Sequence, residues 1–223
     1  MSQALVEKRS VVGGPALTIS IVGAVGLSVV GFLWSQGPSD DILRTLLRAT
    51  ARISFSLFVV TFSASSLDAL LDRPFTDWLR SNRRYLGLSF GGVHLIHGAL
   101  VWTLASRSHG GDLTALARAW QVAAGMVVYG LIVVMMATSN DAAVRQLGPA
   151  RWRRLHRIGI WALFLVFLGN YVNKALGSGP QFWTPVVVLG IALTLRRWTW
   201  GRGSKWPRGR GGARRNRQES RST

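Results

Sequence analysis

The chain reads as an all-α polytopic membrane protein, with six transmembrane helices in one bundle and both termini cytoplasmic. Three observations predict this. Of 223 residues 48% are hydrophobic, mean hydropathy is +0.24, and the charges stand at the ends of apolar runs instead of along amphipathic faces. Six of those runs approach the roughly 20 residues that a bilayer core demands. Lys and Arg, finally, are shared unevenly between alternate connections.

The spans are placed at Leu17 to Trp34, Ile53 to Leu71, Tyr85 to Ala105, Ala119 to Ala137, Leu155 to Val172 and Phe182 to Leu195. The first follows Lys8 and Arg9 but is long and lacks a small-residue cleavage site, so it reads as a retained helix and not as a signal peptide. The last is short and leans on Trp198 and Trp200 as interfacial anchors. The expected organisation is a cytoplasmic N-terminal segment, 1–16, a six-helix domain, 17–200, and a disordered basic cytoplasmic tail, 201–223.

Orientation follows from the basic residues. With the N-terminus inside, 21 of the 27 Lys and Arg fall on the cytoplasmic side, and six (Arg44, Arg48, Arg52, Arg107, Arg118, Lys174) fall outside. In a soluble protein a net charge of +18 would suggest nucleic acid. Here the tail GRGSKWPRGRGGARRNRQESRST is tethered beside an anionic leaflet, where each basic residue is worth about 1 kcal/mol, so anionic lipid is the expected partner and nucleic acid is not. The absence of cysteine excludes disulfides, iron–sulfur clusters, thiolate-ligated haem and covalently attached haem.

Ionisable side chains are costly in hydrocarbon, which singles out His94, His97 and His156. The third and fifth spans both run outward in this topology. His97 lies 13 residues beyond Arg84, about 20 Å into the bilayer, and His94 sits one turn nearer the middle. His156, among Arg153, Arg154 and Arg157, marks the inner boundary. The simplest use of these imidazoles is to hold haem iron, necessarily of the non-covalent b type. His94 and His97 are three apart on one helix, so they cannot be trans ligands to one iron, and His97 and His156 stand at different depths. Two levels, each with one evident ligand, are therefore expected. Arg153 and Arg154 either neutralise propionates or serve topology alone. His109 reads as a loop residue, and the serines Ser54, Ser56, Ser63, Ser65 and Ser66 read as helix-packing glue.

RRYLGLSF followed by His94 and His97, and then WRRLHRIGIW, resemble the ferric reductase-like transmembrane domain, a six-helix haem-binding family. The resemblance implies a haem ligand at His97, ten residues after the glycine of the R-R-x-L-G motif, and another at His156. It also implies a second histidine about thirteen residues after His156, the partner across the outer haem, where this chain has Gly169. Three arrangements stay open: a five-coordinate outer haem on His97 or His94, haem held by His156 alone or by His94 with another partner, or a scaffold that has lost its haem. Sulfoxide repair is one activity within the family, and nothing in these motifs selects it.

The leading expectation is a b-haem electron-transfer protein of the bacterial inner membrane, serving an acceptor on the outer side. The chain carries no G-x-G-x-x-G segment, so its electrons are expected from a separate flavoprotein or from quinol. The alternative is a structural or assembly protein with a degenerate, haem-free site.

Overall fold

A computed structural model describes residues 13–107 and 114–203, with side chains placed for 13–107 and 125–200. The described part is helical: α1 (Pro15–Gln36), α2 (Asp40–Leu71), α3 (Pro74–Ser81), α4 (Arg83–Arg107), α5 (Thr114–Ala137), α6 (Asp141–Leu147), α7 (Pro149–Ser178) and α8 (Trp183–Gly203), with one 3₁₀ turn, Pro180–Phe182. His109, most of the basic tail and most of the N-terminal segment lie outside the described residues.

Local chemistry sets the helix ends. Pro15 opens α1, and Gly37, at φ 73°, closes it by donating its N–H to the Leu33 carbonyl at 3.0 Å. Ser39 caps α2 through the Ile42 N–H, with Asp40 and Asp41 in the first turn against the positive helix end. This cap starts α2 well before Ile53, so Arg44, Arg48 and Arg52 belong to the helix itself and not to a connection. Two short helices, α3 and α6, were not legible as spans. Each is started by its own cap, a reciprocal Arg73 and Thr76 backbone pairing for α3 and the Asn140 side chain on the Ala143 N–H for α6.

Four helices, α1, α2, α4 and α7, are long and apolar enough to cross a membrane. Residues Gly125–Ala137 of α5 reach that standard only together with α6, from which they are bent by 99°. In α8 the apolar run is cut short by Arg196 and Arg197.

The bundle is organised around α2. The apolar window of α2 is 44% buried, against 11% to 28% for α1, α4 and α7, because Leu43, Leu46, Thr50, Ser54, Phe58, Thr61 and Phe62 recur every three or four residues on one face. That face meets α4 in an antiparallel seam. Ser65 is bonded by Arg83, Thr61 lies over Gly87, Phe58 packs on Phe90, Ser54 bonds His94 and Thr50 bonds His97. Phe58 and Phe62 then form the core with Ile132 of α5, Ile160, Leu163 and Phe164 of α7, and Leu189 of α8.

Glycines on α4 admit the flanking helices. A Cβ at Gly92 would come within 2.6 Å of Val22 on α1, and one at Gly91 would collide with Met136 on α5. Gly92→Val is expected to force α1 from the seam and destabilise the fold by about 1 to 3 kcal/mol. Gly31→Val, where a Cβ meets nothing within 4 Å, is expected to stay within about 0.5 kcal/mol of wild type. Thermal unfolding of the two detergent-solubilised variants checks both.

Candidate functional site

The three candidate histidines stand in two places. His94 and His97 share one face of α4, with ring centroids 5.5 Å apart, as their spacing required. Each is met by a hydroxyl from α2: Ser54 Oγ lies 2.8 Å from His94 Nδ1, and Thr50 Oγ1 lies 3.0 Å from His97 Nδ1. Thr50 and Ser54 are one turn apart and fully buried, so the antiparallel seam presents two imidazole–hydroxyl pairs, one above the other. Phe90 at 5.4 Å, Tyr129 at 5.2 Å and Phe167 at 6.0 Å surround the His94 ring, which gives this level an aromatic wall drawn from α4, α5 and α7.

His156 is set apart from that pair, near the end of the bundle where α4 and α7 begin. Its Nε2 lies 3.1 Å from Thr138 Oγ1, and its ring stacks on Trp152 with centroids 4.3 Å apart. The Trp152 indole N–H in turn donates to the Thr138 carbonyl at 2.7 Å. His156 faces a cavity of about 450 Å³, within the ~300 to 1,000 Å³ typical of ligand pockets. Phe58, Phe90, Ile132 and Leu163 supply its apolar wall, and Arg83, Arg84, Arg153, Arg157 and Arg196 bring positive charge to it. His94 and His97 are absent from its lining.

Arg153 therefore joins His156 at one cavity, whereas Arg154 is exposed and outside the lining. Sequence reasoning missed Arg83, Arg84 and Arg196 as cavity residues, and Thr50, Ser54 and Thr138 as histidine partners. The polar residues of α2 held a signal, because Thr50 and Ser54 fall on the same stripe as Phe58. Arg196 carried none: its guanidinium reaches back into the bundle to donate to the Phe62 carbonyl at 3.0 Å and lies 4.4 Å over the Phe62 ring.

Position 169 has a clear geometry. The inward stripe of α7 is Ile160, Leu163, Phe164, Phe167 and Tyr171. Gly169 follows Phe167 by two residues, about 200° around the helix at about 100° per residue, and it is exposed, with nothing within 4 Å of a Cβ built there. The residue that α7 presents to the histidine pair is Phe167. Tyr171, one turn on, has its ring 4.8 Å from Phe55.

Among the described residues no three His, Cys, Asp or Glu are grouped as a bare metal ion would require. The apolar wall and guanidinium groups of the cavity match an apolar group bearing carboxylates.

The Trp152 contact carries a test. Trp152→Phe keeps a ring against His156 but leaves the Thr138 carbonyl, at the break between α5 and α6, without its donor. The expected loss is about 1 to 3 kcal/mol in the unfolding of the solubilised protein.

The chain is 29% identical over 204 residues, 87% of its own length and 88% of the relative's, to the protein-methionine-sulfoxide reductase heme-binding subunit MsrQ of Ralstonia nicotianae. It is 28% identical over 147 residues to the MsrQ of Azospira oryzae, covering 63% of this chain and 59% of that one. No solved structure matches the chain. The family model described as the ferric reductase like transmembrane component matches residues 49–167, which run from within α2 through most of α7 and hold all three candidate histidines, and the chain belongs to that family.

Proposed function

We propose that this chain is an integral membrane b-haem electron-transfer protein of the bacterial inner membrane, with six spans and both termini cytoplasmic. In this reading it takes electrons from a separate flavoprotein or from quinol and passes them to a redox partner on the outer side. The names of its relatives favour a methionine sulfoxide reductase as the system served. The observation that carries the reading is the cavity beside His156, with its apolar wall and five arginines. α8 counts as the sixth span and the bent α5–α6 pair as the fourth, which puts this cavity at the cytoplasmic end and the His94–His97 pair toward the outer side.

When bound, haem supplies a one-electron carrier at each level. The chain's own residues supply the rest. His97 on the outer side and His156 on the inner side are the proposed iron ligands, with His94 beside the outer one. Arg153, together with Arg83, Arg84, Arg157 and Arg196, would balance propionate charge. Phe58, Phe90 and Phe167 exclude water between the levels, and the basic tail rests on anionic lipid.

A haem-free scaffold is the competing reading, favoured by Gly169 on the outward face of α7 and by the commitment of His156 Nε2 to Thr138.

Absorption spectra of protein purified from haem-replete cells decide between them. The expected result is a Soret band that sharpens on dithionite reduction, lost in large part in His97→Ala and in separate part in His156→Ala. A colourless wild type selects the scaffold. Because the chain has no cysteine, single-cysteine reporters test the orientation. Gln36→Cys is expected to react with an impermeant maleimide from outside, and Arg145→Cys only after permeabilisation.

A further inference from the structure

The two imidazoles of the outer level look equivalent, but the hydrogens of their hydroxyl partners are not. A threonine hydroxyl has one hydrogen to give and two lone pairs to receive. Thr50 Oγ1 lies 2.8 Å from the Leu46 carbonyl, four residues back in α2, with the Leu47 carbonyl at 3.3 Å, and both carbonyls can only accept. The shorter contact assigns its hydrogen there. Toward His97 Nδ1, at 3.0 Å, the same oxygen then presents lone pairs, which assigns the hydrogen on that contact to the imidazole, and the Leu47 carbonyl stands beside the same ring as a second acceptor. His97 is then the Nδ1–H tautomer, and its bare nitrogen is Nε2, on the far side of the ring from α2.

Ser54 differs. Among the described residues its hydroxyl bonds His94 Nδ1 at 2.8 Å and no backbone carbonyl, so it donates or accepts with equal ease and fixes neither tautomer. The third histidine is fixed the opposite way. Thr138 Oγ1 gives its hydrogen to the Val134 carbonyl at 2.7 Å, so at 3.1 Å it must accept from His156 Nε2–H. His156 then keeps its lone pair on Nδ1. Hydrogen accounting thus separates the three imidazoles.

We propose that Thr50 is a positioning residue that locks His97 as the Nδ1–H tautomer, so that Nε2 of His97, and not that of His94, is the standing iron-ligating nitrogen of the outer level. The inference rests on the haem reading above for its purpose, but the tautomer itself is a property of the protein without haem. A ligating histidine whose other ring nitrogen donates to a fixed acceptor is held in tautomer and ring orientation, and loss of such an acceptor weakens binding about 10- to 100-fold. The acceptor here is 1% exposed, so water cannot readily replace it.

The test is nitrogen-15 NMR of histidine-labelled protein, prepared free of haem in detergent, with the His97 signals assigned by their loss in His97→Gln. Wild type and Thr50→Ser are expected to show protonated Nδ1 and bare Nε2 at His97. Thr50→Val, of nearly the same shape but without the oxygen, is expected to show a mixture of tautomers. Ser54→Ala is expected to leave His97 unchanged. A protonated Nε2 at His97 in wild type, or an unchanged Nδ1–H tautomer in Thr50→Val, overturns the assignment. Far-ultraviolet circular dichroism establishes that Thr50→Val is folded, and if it is not, the wild-type and Thr50→Ser tautomers still decide.

Haem-replete preparations then read the consequence. Thr50→Val is expected to retain haem at the outer level about tenfold more weakly, with Thr50→Ser close to wild type. Equal retention in wild type and Thr50→Val overturns the positioning role while leaving the haem reading intact. Wild type that shows the expected tautomer but takes up no haem overturns the haem reading and the proposed ligand with it, and leaves the hydrogen accounting standing.

Discussion

The antiparallel seam between α2 and α4 governs what the rest of the molecule can be. Each step of three or four residues along α2 is answered by a step of three or four back along α4, from Ser65 and Arg83 at one end, through Thr61 and Gly87, Phe58 and Phe90, and Ser54 and His94, to Thr50 and His97 at the other. The register is set by small and polar residues more than by apolar bulk, which is how helices find one another where lipid is as apolar as any side chain. A slip by one residue along either helix would turn the hydroxyls away from the imidazoles and leave buried polar groups without partners. Histidine placement and helix packing are thus the same constraint.

From that seam the bundle is built outward. Gly92 lets α1 approach α4, Gly91 accepts Met136 of α5, and the paired rings of Phe58 and Phe62 carry the core into α7 through Phe164 and Phe167. Arg196 ties α8 to α2 by donating to the Phe62 carbonyl while lying over the Phe62 ring. The cavity beside His156 is what this arrangement leaves between the seam and α7, positive where five arginines converge.

Much of this was legible from the residues, and the limits have physical reasons. Apolar runs located the long helices, since burial in lipid demands them, but a run says nothing of a cap. Ser39 with two aspartates extends α2 by more than three turns ahead of Ile53, carrying three arginines onto a helix. The short α3 and α6 escaped because their apolar content is too small to show periodicity. At the site, spacing alone showed that His94 and His97 share a face and that His156 stands apart. Spacing could not show that Thr50 and Ser54, some 40 residues earlier in the chain, meet them, because only the pairing of α2 with α4 brings those positions together. The meaning of Gly169 was hidden for a similar reason. A count of thirteen residues fixes distance along a helix, whereas the face it occupies depends on which stripe of α7 turns inward.

The break between α5 and α6 has a consequence for how the protein is made. Where a helix stops short and bends by 99°, its last carbonyls lose their partners in the next turn, and here two of them are taken up from elsewhere: Ser139 O by Arg84 Nε at 2.6 Å and Thr138 O by Trp152 Nε1 at 2.7 Å. Arg84 precedes the bend in the chain, but Trp152 follows it. During synthesis the bend therefore lacks the Trp152 contact until α7 emerges from the ribosome, and the wall that seats His156 cannot close before then. The cavity is completed late, by the same helix that brings the histidine to it, so nothing can be loaded there on a nascent chain that ends before α7.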